Sequence, residues 1–185
     1  MPLPDNVSDA VIAAKKGDPQ GWNWLFSHFY PVVLRYTLAH FSRQGDAEDI
    51  VQEVFVSATG SLGKLRSCSE PVVEAWFLRI ARYRIVDEFR KESRARRAVP
   101  EPEETVDPAS LAEDAFLAAE VRRAIRRLNE AQRDVLVRRF VLDHSLERVA
   151  EASGKPVGAV KALQHRALAA LERELARNPR GQKAE

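Results

Sequence analysis

Trp76, Arg79, Tyr83, Asp87 and Arg90 recur at steps of three and four residues, the spacing that gathers side chains on one face of a helix. A row mixing aromatic rings with guanidinium groups suits the stacking of unpaired bases and attraction to a phosphate backbone. The plainer reading has Trp76 and Tyr83 part-buried and Asp87 paired with Arg90 or Lys91 inside the helix. A second set has the opposite sign: Asp46, Asp49 and Glu53 share a face, with Ala47, Val51, Val54, Phe55 and Ala58 on the other. That acidic stripe is either a solvated surface or a place where a basic partner docks. Asp46 also puts negative charge at a helix start, where the macrodipole favours it.

A third set lies near the C-terminus, in SLERVAEASGKPVGAVKALQHRALAALEREL, residues 145 to 175. Leu146, Val149 and Ala150 make a short apolar face, and a turn at Gly154 and Pro156 leads into a longer helix, the outline of a helix-turn-helix. On that second helix Val160, Leu163, Ala167 and Leu171 point one way. Gly158, Ala162 and His165 then point the other way, flanked by Lys161 and Arg166. A small, basic face is what a helix needs to approach a major groove and reach phosphates and base edges.

Reaction chemistry is not visible in these sets. The sequence contains no paired carboxylates matched to a metal, no phosphate-cradling glycine loop and no nucleophile beside a base. The single cysteine, Cys68, makes neither a disulfide framework nor a metal site, and His165 has no ligand-spaced partner. The expectation is a binding protein that is not an enzyme and uses no metal and no cofactor.

The elements that must carry these faces are helical. No sustained alternation bounded by turn pairs marks a strand. Periodicity predicts helices over 8–17, 20–42, 46–60, 71–94, 113–128, 130–142, 145–153 and 157–177, with Gly17, Gly45, Gly63 and Gly154 as punctuation. Pro31 should kink or split the second helix at Tyr30. The stretch RAVPEPEETVDPASLAED, with three prolines and an acidic run, reads as a flexible linker. The expected class is therefore all-α: an N-terminal domain over 1–96, a linker over 97–112, a C-terminal domain with the helix-turn-helix over 113–178, and a tail over 179–185.

The totals fit that picture. In 185 residues, 45% are hydrophobic and 30% charged, a globular composition. A formal net charge of +2 says little about nucleic acid, but the charge is segregated. Bases concentrate at 79–97, at 122–139 and near the C-terminus, acids at 46–53 and 101–114. No stretch is long and apolar enough for membrane insertion, and the first twenty residues reverse the order of a secretory signal, so a cytoplasmic protein is expected.

Taken together, GDPQGWNWLFSHFYPVVLRY, DAEDIVQEVF, AWFLRIARYRIVDEFRK and LNEAQRDVLVRRFVLDHSLERVAEASGKPVGAVKALQHRAL resemble the bacterial RNA polymerase sigma factors of the extracytoplasmic-function (ECF) type, in family order and over nearly the whole chain. The resemblance implies an initiation factor that binds core RNA polymerase and directs it to promoter DNA. It implies that Asp46, Asp49, Gln52, Glu53 and Phe55 meet the coiled coil of the β′ clamp, and that the C-terminal domain meets the β flap. By the same resemblance Lys64, Arg66, Ser67 and Ser69 would hold a flipped base of the minus-ten element. Trp76, Arg79, Arg82, Tyr83, Asp87 and Arg90 would line the upstream edge of the melting bubble. Gly158, Lys161, Ala162, His165 and Arg166 would read the minus-thirty-five element, while the acidic linker would thread toward the RNA exit path. An anti-sigma factor is the implied regulator.

The chain departs from the family pattern at three places. Tyr83 stands where Asn is usual, LDHSLERVA replaces a more aromatic approach to the reader, and Ala162, Leu163 and Leu168 stand where polar or basic residues are common. The competing reading is a stand-alone helix-turn-helix regulator, which would have no need of the acidic helix in that order and context.

Overall fold

The computed structural model describes residues 4–41, 43–98 and 113–177, and every regular element among them is helical. The first is α1 (Val7–Lys15), started by Asn6, whose side chain accepts from the Asp9 amide at 3.0 Å. Asp18 caps α2 (Pro19–Leu38) in the same way, with Pro19 at the position where a missing N–H costs nothing. Then come α3 (Gln44–Ser61), a 3₁₀ turn at Leu62–Lys64, and α4 (Glu70–Ala98). Gly21 lets α2 lie directly on α1, since a Cβ there would stand 2.4 Å from the Ala14 amide nitrogen.

The C-terminal helices are α5 (Glu113–Arg127), α6 (Glu130–Leu136), α7 (Leu146–Ser153) and α8 (Val157–Ala176). Asn129 and Gln132 form a capping box at the start of α6, which ends in a widened π turn, Val137–Val141. Ser145 caps α7, and Gly154, at φ 64°, supplies the left-handed residue that stops it. Pro156 then sets the start of α8.

Helix placement follows the periodicity closely, with two corrections. Gly45, expected as punctuation, lies inside the first turn of α3. Pro31 neither splits nor ends α2, which runs through it. The carbonyl that proline leaves without a donor belongs to Ser27; both residues are on the exposed side, open to solvent. The proline-rich acidic stretch from residue 99 to 112 and the tail from 178 lie outside the described residues.

Two apolar clusters hold the helices. The larger joins Leu25, Phe29, Val33 and Tyr36 of α2 with Val51 and Val54 of α3 and Val73, Phe77 and Leu78 of α4. Phe29 and Phe77 rings lie 5.0 Å apart at its centre. The smaller is built from Leu128, Val135, Leu136, Val149, Ala150, Val160 and Ala167. Ile125, Val137 and Leu142 belong to the larger cluster, so α5 and α6 lean on the N-terminal helices.

Candidate interaction surfaces

The acidic face is presented by α3. Asp46, Asp49, Gln52 and Glu53 are all exposed, while Ala47, Ile50, Val51 and Val54 are buried beneath them. The arrangement follows from amphipathic spacing alone. Phe55 is the exception: it is buried, its ring 4.7 Å from Phe26 and 5.1 Å from Phe77. It seats the helix and does not stand on the stripe. The apolar residue that does stand there is Val56, 72% exposed and one helical step on from Gln52 and Glu53. Sequence reasoning passed over Val56, although its spacing from Asp49, Gln52 and Glu53 was the available signal. Arg84 of α4 braces this surface, donating to Ser57 Oγ from Nη2 at 2.6 Å and standing 3.7 Å from the Glu53 carboxylate.

The loop before α4 exposes Lys64, Arg66, Ser67 and Ser69. Its backbone is pinned from α1, where Lys15 Nζ donates to the Leu65 carbonyl at 2.6 Å and Ser8 Oγ to the Cys68 carbonyl at 3.0 Å. The exposed side chains therefore project from a fixed backbone. Within the loop the Ser67 and Ser69 hydroxyls are 3.3 Å apart.

On α4, Arg79, Tyr83, Asp87 and Arg90 form an exposed row, with Asp87 3.7 Å from Arg90. Tyr83 is 65% exposed and its ring is open to solvent. Trp76 departs from the row: it is buried, packed edge-on against Phe77 at 4.8 Å. Arg82 is half-buried, its Nε donating to Glu130 of α6 at 2.5 Å. Burial opposes its charge, but the Glu130 bond and the Asp134 charge outweigh that and hold the guanidinium above its ordinary value.

In the helix-turn-helix, α7 and α8 pack through Val149, Ala150, Val160 and Ala167. Gly158, Lys161, Ala162, His165 and Arg166 are all exposed on α8, on the side opposite Val160 and Ala167. A Cβ at Gly158 would meet nothing within 4 Å, so the absence of a side chain there serves no packing need of this chain. Arg139 fixes the pitch of α8, its Nε donating to Gln164 at 3.0 Å while another nitrogen donates to the His144 carbonyl.

Among the described residues no group of three or more histidines, cysteines and carboxylates gathers in a metal-binding arrangement. Nor is any helix among them long and apolar enough to cross a membrane.

Two family profiles match the chain: Sigma-70 region 2 over residues 25–95, and Sigma-70, region 4 over residues 124–173. The ECF RNA polymerase sigma factor ShbA of Streptomyces griseus is 34% identical over 178 residues, spanning 89% of this chain and 93% of the relative. The ECF RNA polymerase sigma factor SigD of Mycobacterium tuberculosis is 32% identical over 177 residues, spanning 90% of this chain and 83% of the relative. In three dimensions the chain is similar to the sigma factor RpoE solved with the anti-sigma factor NepR from Bartonella quintana, with a TM-score of 0.60 at 21% identity over 84% of this chain and 97% of that one. That likeness speaks to the fold.

Proposed function

This chain belongs to the extracytoplasmic-function family of RNA polymerase sigma factors, and from that membership we propose a division of labour among its exposed faces. It is an alternative sigma factor: it binds core RNA polymerase and directs transcription initiation at particular promoters. The family match leaves the stand-alone regulator without support. Factors of this kind initiate transcription through binding, and we read this one as having no catalysis of its own.

In our reading the N-terminal helices through residue 96 dock on the polymerase and open the minus-ten element. Asp46, Asp49, Gln52 and Glu53 meet the β′ clamp coiled coil, with Val56 at the same face as its apolar contact and Phe55 supporting it from beneath. Charge complementarity at such a surface sets orientation and association rate. Lys64, Arg66, Ser67 and Ser69 hold an extruded base, which offsets the few kcal/mol that unpairing costs. Arg79, Tyr83, Asp87 and Arg90 follow the separated strand, Tyr83 by stacking. The C-terminal helices from residue 113 meet the β flap and lay Gly158, Lys161, Ala162, His165 and Arg166 in the major groove of the minus-thirty-five element.

The observation that carries this assignment is the separation of signs: α3 exposes a carboxylate face and α8 exposes a basic one of small residues. One suits a basic protein surface, the other duplex DNA. The factor works in the cytoplasm, where polymerase and promoters are. RpoE was solved with NepR, and we infer that a protein inhibitor of that class restrains this factor too.

The test is reconstitution. Core polymerase supplied with this factor and a library of genomic promoter fragments should give defined transcripts that core alone does not. Transcript patterns identical to those of core alone would overturn the assignment.

A further inference from the structure

The loop that precedes α4 is held by a helix distant from it in sequence. Residues 65–69 form no regular element, yet two of their carbonyls are taken by side chains of α1. Ser8 Oγ donates to the Cys68 carbonyl at 3.0 Å and Lys15 Nζ to the Leu65 carbonyl at 2.6 Å, across 60 and 50 residues of sequence. Arg66 and Ser67, both exposed, lie between these two points. The Leu65 side chain is buried and Cys68 packs against the larger apolar cluster. The loop is thus drawn inward at 65 and 68 and stands out at 66 and 67.

Helical and extended spacings account for the match. Ser8 and Lys15 share one face of α1, about 10.5 Å apart along the axis at about 1.5 Å per residue. The extended chain from Leu65 to Cys68 covers about 10 Å. The bonds run antiparallel, the earlier residue of α1 to the later residue of the loop. Both ends of the segment are fixed as well. The Leu65 amide donates to the Leu62 carbonyl of the 3₁₀ turn at 3.0 Å, and the Val72 and Val73 amides of α4 donate to the Ser69 carbonyl, each at 3.0 Å.

These bonds are not what seats α1. That helix is already held through Val7, Ala10, Val11 and Ala14, with Gly21 of α2 pressed against it. Ser8 and Lys15 stand outside this apolar set, so what they add is order in the loop. A loop that captures an extruded base gains from being ordered beforehand, because its backbone entropy is then lost in folding and not on binding.

We propose that α1 is a positioning element for base capture, in which Ser8 and Lys15 pin the Cys68 and Leu65 carbonyls so that Arg66 and Ser67 stand preset for the minus-ten strand. The proposal rests on the reading of this loop given under the proposed function and assigns to it two residues from another helix. Ser8 and Lys15 act through the loop and touch no DNA themselves.

The experiment compares Ser8→Ala and Lys15→Met with Lys16→Met, which removes the same charge one position on. Two quantities are read. The first is the rate at which Cys68, the one cysteine of the chain, reacts with an aromatic disulfide in the free factor, a measure of loop order. The second is the affinity of the holoenzyme for a single-stranded minus-ten oligonucleotide from a promoter found by reconstitution, intact and with an abasic site at each position in turn. In the unsubstituted factor one abasic site should weaken binding far more than the rest. Ser8→Ala and Lys15→Met should each speed Cys68 and weaken the intact oligonucleotide by about fivefold, the effect of one hydrogen bond of ordinary worth. They should also shrink the penalty at that one abasic site, while Lys16→Met changes none of these.

An unchanged Cys68 rate in both variants would overturn the pinning. A faster Cys68 with unaltered oligonucleotide affinity would overturn its bearing on DNA. Lost affinity with an unchanged Cys68 rate and a salt slope lower by about 1 would make Lys15 a phosphate contact instead. Should Lys15→Met lose helicity, Ser8→Ala, which removes a single hydroxyl, carries the test. Co-elution with core polymerase is read in every sample, so failed pins with intact core binding are distinct from a chain that does not bind polymerase at all. Abasic sites that all count alike in the unsubstituted factor would overturn base capture itself, whatever the Cys68 rates show.

Discussion

The Arg84 guanidinium of α4 stands 3.7 Å from the Glu53 carboxylate of α3, so the acidic stripe is braced by a cation from the helix behind it. Both side chains are more than two-fifths exposed, and the ion pair itself is weak. The firmer link is the pair of hydrogen bonds from Arg84 to Ser57 Oγ, at 2.6 and 3.1 Å. Arg84→Ala should lower stability by about 1 kcal/mol in urea unfolding, the usual worth of such bonds. Affinity for core polymerase should change by less than a few-fold. A loss as large as that of a charge reversal at Asp49 and Glu53 would mean that Arg84 itself is part of the docking surface.

Lys161 and Arg166 flank the exposed face of α8 and are placed to meet phosphates. Replacing both by Ala should weaken holoenzyme binding to duplex carrying the minus-thirty-five element. It should also flatten the plot of log affinity against log salt by about 2, since each phosphate contact contributes about 0.9. Weakened affinity with an unchanged salt slope would assign these residues to packing.

Tyr83 has an open ring in the row of α4. If it stacks on an unpaired base, Tyr83→Ala should cost about 1 to 3 kcal/mol in binding of single-stranded minus-ten DNA to the holoenzyme. Tyr83→Trp should retain the affinity. Equal losses in both variants would show that the hydroxyl, not the ring, makes the contact.

Acid should weaken the fold through His40. Its ring is buried on α2's C-terminal side, 2.7 Å from the Tyr36 carbonyl, and burial together with the Arg133 charge brings it from 6.5 down to about 4 against the opposing pull of that carbonyl and of Asp134. Above pH 6.5 the ring is neutral folded or unfolded and costs nothing. As pH falls from 6.5 toward 4 only the unfolded chain takes up the proton, so stability declines by up to roughly 3 kcal/mol. Urea midpoints measured across this window should fall with pH, and a His40→Gln variant should lose that part of the slope. An unchanged slope in the variant would remove His40 as the cause.

The sequence was most informative where structure is local. The 3.6-residue period fixed which side of α8 is exposed, because Val160 and Ala167 had to be buried together. Gly154 and Pro156 placed the turn for the same local reason. Pro31 misled because its effect on α2 depends on whether the orphaned carbonyl faces solvent, which is a tertiary fact. Periodicity put Phe55 on the apolar face, where Phe26 and Phe77 hold it; it was the resemblance that set it among the exposed docking residues. The contacts of Arg84 and Arg82 have no periodic signature, since Ser57 and Glu130 lie 27 and 48 residues away.

The central claim is that the α3 face is the polymerase dock. The most direct measurement is co-elution of the purified factor with bacterial core RNA polymerase on size exclusion, beside a variant carrying Asp49→Arg and Glu53→Arg. Both positions are exposed, so the variant should keep its helicity while losing co-elution. A charge-reversed factor that still travels with core polymerase as the unsubstituted one does would contradict the account.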